Sequence, residues 1–223
     1  MNETIERAKA GGIKTLDEFE SKKLLRSYGI PTVKERPVAT SDECAAACAE
    51  LGFPVVIKAL SSKISHKTER NLVRVGVPNP EAARKAFNEI KAACGAEFES
   101  VIVQQMVSGR RELVAGLTTD AQFGPCVMFG LGGIFTEVLK DVAFRVAPIT
   151  VDDAMEMMNE IKAKAILGAV RGMPPADRDA LAAILVSLGK IGMENPEVRE
   201  IDINPIMLEG ESPVAVDALV VLK

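Results

Sequence analysis

A single histidine stands in the 223-residue chain, at His66 in the run Ser65-His66-Lys67-Thr68. The segment from Ser61 to Asn71 has no apolar periodicity and separates two strand-like runs, so it reads as a polar loop. An imidazole beside a lysine is suited to carrying a phosphoryl group, because the cation offsets the incoming negative charge. A solvated surface histidine is the bland alternative. The remaining chemistry-bearing residues favour the first reading.

Lys58 closes the apolar run Pro54-Val55-Val56-Ile57-Lys58-Ala59, where a cation at a strand end can meet a phosphate as a point charge or snorkel to solvent. Val103-Gln104-Gln105-Met106-Val107 ends another strand, where backbone groups and a glutamine could read an adenine edge. Gly130-Leu131-Gly132-Gly133 follows a short strand and matches neither the Rossmann nor the P-loop fingerprint. Glycines there still allow close backbone approach, with N–H groups turned to phosphate oxygens. Glu137, Lys140, Asp141 and Arg145 crowd just after them. In Glu200-Ile201-Asp202-Ile203-Asn204-Pro205, alternation puts Glu200, Asp202 and Asn204 on one strand face. Asp217 interrupts the apolar run from Val214 to Val221 and needs a partner there. If those two strands pair, Asn204 and Asp217 converge as oxygen ligands of the kind Mg²⁺ takes beside nucleotide phosphates; an Asp bonded only to backbone is the alternative.

The elements that must position these groups follow from periodicity. Helices are expected in residues 1–14, 16–28, 42–51 (with Ser41 as N-cap), 81–93, 151–164 and 176–193. Strands are expected at 32–39, 54–59, 72–77, 101–106, 112–118, 126–129, 141–147, 198–204 and 214–222, with 112–118 the hairpin partner of 101–106 across Gly109. Interleaved strands and helices with hairpins in both halves predict an α+β fold with mixed or antiparallel sheets. A boundary near residue 108 would divide an N-terminal lobe, 1–107, from a C-terminal lobe, 108–223.

Composition removes several function classes. A net charge of −4 leaves no footprint for DNA or RNA, and 4% aromatics with one tyrosine leave little to stack bases on. The four cysteines form no C-x-x-C pair and read as packing residues of a reduced protein. The start lacks the apolar stretch of a signal peptide, and no run approaches the roughly 20 residues of a membrane span, so a cytoplasmic location is expected.

Together the motifs resemble the nucleotide-binding β subunits of ADP-forming acetyl-CoA synthetases and related acyl-CoA synthetases. The resemblance rests on Tyr28-Gly-Ile-Pro31, Leu51-Gly-Phe-Pro-Val-Val-Ile-Lys58, Ser65-His-Lys-Thr68, Val103-Gln-Gln-Met106, Phe129 to Val142, Ile201-Asp-Ile-Asn-Pro205 and Val216-Asp217. It implies an ATP-grasp fold, two lobes gripping a nucleotide, with ATP or ADP and Mg²⁺ as cofactors. It implies that His66, on the loop of about 61–71, relays phosphate. Lys58, Gln104, Gln105, Met106, Val107, Glu112, Gly132, Gly133 and Arg145 would serve the nucleotide, and Asn204, Asp217 and Asp202 the metal. It further implies a separate CoA-binding α subunit in an α₂β₂ assembly, because the chain carries no Gly-rich CoA fingerprint of its own. The sequence departs from the family pattern at Arg70-Asn71-Leu72, where glycines are usual, at Gln105, where Glu is common, and at Leu219, where Arg is common. Another ATP-grasp carboxylate ligase, which has no need of His66, and a non-catalytic nucleotide-binding subunit are the alternatives.

Overall fold

The computed structural model describes residues 2–61, 70–133 and 141–223. His66, Glu137 and Lys140 lie outside the described residues. The chain divides into two compact units, Val33–Val107 and a second made of Met1–Thr32 with Ser108–Lys223. Residue 108 is thus one of two crossing points, and the first 32 residues cluster with the C-terminal half rather than with the N-terminal lobe expected for 1–107. Their apolar faces explain this. Ile5 in α1 (Glu3–Ala10) and Leu24 and Leu25 in α2 (Glu18–Ser27) are wholly buried in that unit's core.

The unit Val33–Val107 is a four-stranded antiparallel sheet, in the order β1 (Glu35–Val38), β4 (Ser100–Gln105), β2 (Val55–Leu60), β3 (Val73–Val77). Helices α3 (Ser41–Leu51) and α4 (Pro80–Cys94) pack on it. Thr40, one residue before the expected cap, closes α3 in a capping box with Glu43. Residues Val55, Ile57 and Ala59 of β2 and Val101 and Val103 of β4 join Phe87, Ile90 and the buried thiols Cys44, Cys48 and Cys94 in one core. These three cysteines are therefore packing residues, as the alanine-rich setting of Cys44 and Cys48 predicts.

In the other unit, β5 (Glu112–Asp120), β6 (Gly124–Leu131), β7 (Val142–Val146), β8 (Val198–Glu209), β9 (Ser212–Ala215) and β10 (Leu219–Leu222) form a second antiparallel sheet, in the order β10-β8-β5-β6-β7 with β9 on β8. The residues 112–118 therefore pair in this sheet and not with β4, which corrects the expected hairpin across Gly109. Two features carry the chain across instead. A side chain at Gly109 would sit 2.8 Å from the Leu208 carbonyl, and the buried Arg111 guanidinium donates to the carbonyls of Ile166, Gly168 and Gly210.

Helices α5 (Val151–Glu160) and α6 (Arg178–Glu194) cover one face of this sheet. Gly192 permits close approach, since a Cβ there would lie 2.6 Å from Leu117. Helix α5 ends earlier than its periodicity suggests. The buried Asp141 carboxylate accepts from Lys162 N–H and Ala163 N–H, each at 2.7 Å, and so takes two donors that would have continued the helix. No helix among the described residues is long and apolar enough to cross a membrane.

Candidate functional site

Chemistry-bearing groups gather on the sheet face turned away from the helices in each unit. In Val33–Val107 that face carries Lys58 and Gln104. Residues with odd numbers in β2 and β4 enter the core, so even ones emerge opposite. Lys58 stands across from Ile102, and Gln104 stands between Glu35 on β1 and Val56 on β2. Both are buried, Lys58 at 6% exposure and Gln104 at 1%. A lysine so withdrawn from water is costly unless anionic partners meet it. Gln105 is half-buried, and its N–H donates to the Lys34 carbonyl at 2.9 Å; Met106 and Val107 follow β4 as irregular, half-buried chain. Glu35 was not singled out by sequence, because only the pairing of β1 with β4 brings it beside Gln104.

In the other unit the open face bears Glu112 and Gly116 of β5, Met128 of β6, Phe144 of β7, and Glu200 and Asp202 of β8. Asp202 lies opposite Gly116 and opposite Leu219, and Glu200 opposite Thr118. Gly116, Met128, Phe144, Glu200 and Asp202 line a pocket of ≈ 90 Å³. Burial, then the charges of Glu200 and Asp217, push the Asp202 carboxyl up to about 6.

The run expected as one strand at 214–222 is broken into β9 and β10, and Asp217 lies in the break. The register nevertheless runs through it. Ile206 pairs with Ala215, Asp202 pairs with Leu219, and Val216 N–H donates to the Pro205 carbonyl at 3.0 Å. Asn204 and Asp217 therefore stand opposite each other. The half-buried carboxylates of Asp202 and Asp217, with the Asn204 amide oxygen beside them, match the hard oxygen ligands of a divalent cation. Among the described residues no three His, Cys, Asp or Glu side chains form a closed cation cage. An open set of two carboxylates and an amide suits Mg²⁺ that keeps nucleotide phosphates and water as its other ligands.

The glycine turn is built by contact with Glu112. Gly132 N–H donates to the Glu112 carbonyl at 2.8 Å, so that donor is engaged within the fold rather than turned to an anion. A Cβ on Gly132 would lie 2.6 Å from the Leu113 carbonyl. Gly133 has φ +66°, and its missing Cβ makes room for the Glu112 carboxylate.

Arg145 does not join these groups. It pairs with Val127, whose side chain is in the helix-covered core, so its own side chain leaves the sheet on the helix side. There its guanidinium holds Glu160 and Glu156 of α5. The charge density around 137–145 thus includes a helix-to-strand clamp (Arg145) and a helix stop (Asp141).

Sequence reasoning also passed over Glu18 and Lys22, which are fully buried and bonded to each other. Their i, i+4 spacing within an otherwise amphipathic helix was the available signal.

The chain matches the ATP-grasp domain model over residues 7–222. It is 45% identical to the β subunit of ADP-forming acetate–CoA ligase I of Pyrococcus furiosus, covering 99% of this chain and 97% of that one. Its fold is similar to acetyl-coenzyme A synthetase 1 of Ca. Korarchaeum cryptofilum solved with coenzyme A and Ca-AMPCP, with a TM-score of 0.95, 41% identity and 98% of each chain covered. The same protein solved with coenzyme A and Mg-AMPPCP, its phosphohistidine segment pointing towards the nucleotide site, superposes with a TM-score of 0.88 at 40% identity, over 99% of this chain and 98% of that one.

Proposed function

We propose a function from a settled premise: this chain belongs to the ATP-grasp domain family, and within it to the β subunits of ADP-forming acetate–CoA ligases. It acts as the nucleotide-binding subunit of an acid–CoA ligase and relays phosphate through His66, in the overall reaction acyl-CoA + ADP + phosphate ⇌ acid + ATP + CoA. One observation carries the relay. The acetyl-coenzyme A synthetase 1 of Ca. Korarchaeum cryptofilum, solved in this fold, possesses a phosphohistidine segment, and this chain has one histidine, in the polar run Ser65-His66-Lys67-Thr68.

The residues have separable tasks in this reading. Lys58 meets nucleotide phosphates as a point charge. Gln104 and the chain from Gln105 to Val107 hold the adenine. Glu112, with Gly132 and Gly133 packed on it, shapes the approach to the phosphates. Arg145 holds α5 to β7 and is not assigned to the nucleotide. Asn204, Asp217 and Asp202 would hold Mg²⁺, which when bound neutralises charge on the transferring phosphoryl group.

In the step towards ATP, the bond from phosphorus to the His66 ring nitrogen breaks as a bond forms to a terminal oxygen of ADP, and the ring is released for the next cycle. The phosphoryl group reaches His66 from an acyl phosphate made on a CoA-binding α subunit. That subunit is a separate chain, and the assembly is an α₂β₂ heterotetramer. Support for the partner is the subunit designation of the relative from P. furiosus, which this chain matches end to end.

The test is incubation with Mg²⁺ and γ-³²P-labelled ATP. Acid-labile, base-stable label on the wild type and none on His66→Ala is the expected result. Label that persists in His66→Ala, or a wild type that binds ATP and takes no label with or without the CoA-binding subunit, would overturn the relay.

A further inference from the structure

We propose that the buried pair Glu18 and Lys22 positions Asp217 for its cation, an inference that rests on reading Asn204, Asp202 and Asp217 as the Mg²⁺ site. The side chains are 1% and 0% exposed, and Lys22 Nζ donates to Glu18 Oε1 at 2.9 Å. The same ammonium donates to the carbonyl of Val216 at 3.2 Å. That carbonyl belongs to the planar peptide unit that ends at the Asp217 Cα, so fixing it orients the backbone from which the Asp217 side chain departs.

The neighbouring bonds make this a clamp rather than an isolated contact. Val216 N–H is held by the Pro205 carbonyl at 3.0 Å. Three residues beyond Asp217, Val220 N–H donates to Ser21 Oγ at 3.1 Å, and the Val220 carbonyl accepts from Leu16 N–H at 3.0 Å. The stretch 216–220 is thus tied at both ends to residues 16–22 of the N-terminal arm. An apolar side chain at residue 22 could pack the helix without burying a charge, and buried ion pairs are seldom the most stabilising solution. A directional ammonium bond next to a metal ligand gives that charge a purpose, because outer partners orient the groups that bind metal.

The experiment measures ADP affinity of the full-length chain by calorimetry, in EDTA and in saturating Mg²⁺, for wild type, Lys22→Met, Ser21→Ala and Asp217→Asn, with unfolding midpoints taken alongside. In the wild type Mg²⁺ is expected to tighten ADP binding. Lys22→Met is expected to lose about tenfold or more of that tightening, the scale of lost outer partners, while its affinity in EDTA stays within about twofold. Tightening that survives in folded Lys22→Met but is lost in Asp217→Asn would overturn the positioning role and leave the metal reading standing. Tightening that survives in Asp217→Asn, or is absent from the wild type, would remove the metal reading and this inference with it. Should Lys22→Met fail to fold, Ser21→Ala decides: reduced tightening supports the clamp, and unchanged tightening overturns it.

Discussion

Asn204 on β8 and Asp217 in the break between β9 and β10 occupy matching register positions, between the pairs Ile206–Ala215 and Asp202–Leu219. The gap between β9 and β10 is therefore a break in strand form without a change of register. It frees Asp217 from the ladder while keeping it beside the β8 carboxylates.

Burial, with the nearby charges of Glu200 and Asp217 adding to it, gives Asp202 a measurable signature. Its carboxyl is pushed from 3.8 to about 6, so the folded chain binds this proton more tightly than the unfolded chain. Metal-free protein should gain stability as pH falls through about 6, and should bear the full cost of the charged carboxylate at neutral pH. Asp202→Asn is expected to stabilise the protein in EDTA at about pH 8 by about 1–3 kcal/mol, with the gain shrinking towards about pH 4. Urea unfolding at the two pH values measures it, and a destabilised variant at the higher pH would contradict the account.

Lys58 should matter to phosphate and not to base. Lys58→Met is expected to weaken ADP binding by about 10–100-fold, the worth of a charge-assisted bond, and to leave adenosine binding unchanged. Equal losses for both ligands would mean that the substitution had disturbed the sheet.

Gly132 is constrained by backbone rather than by a ligand. A methyl group there would meet the Leu113 carbonyl at 2.6 Å, and neither strand can yield easily. Gly132→Ala should cost about 1–3 kcal/mol in chemical unfolding. An unchanged midpoint would show that the turn is looser than its contacts imply.

Arg145 provides the contrast. Arg145→Met is expected to leave ADP affinity within about twofold and to lower the unfolding midpoint only slightly, as for partly exposed ion pairs. A large loss of ADP affinity would return Arg145 to the nucleotide.

Much of this was legible in the sequence, for identifiable reasons. The continuous apolar run around Lys58 is the signature of a central strand, and all six residues of β2 are buried, although the strand runs on to Leu60 and so holds Lys58 in its interior rather than at its end. Alternation in 200–204 placed Glu200, Asp202 and Asn204 on one face without any tertiary information. Three features depended on long-range contacts and were not legible. The departure of β5 from β4 depends on Arg111 reaching carbonyls as far along the chain as Gly210. The return of the first 32 residues to the C-terminal half depends on what their apolar faces find. Arg145 looked like part of a site because charge density along a sequence does not say which side of a strand a residue occupies. The register opposite Val127 does.

The most direct measurement is a chase. Protein carrying ³²P on His66 is isolated and given Mg²⁺ with ADP, AMP or no nucleotide. Label is expected to leave the protein and appear in ATP with ADP alone, and to stay on the protein in the other two. Release as inorganic phosphate irrespective of nucleotide, or retention in the presence of ADP, would contradict a relay through His66.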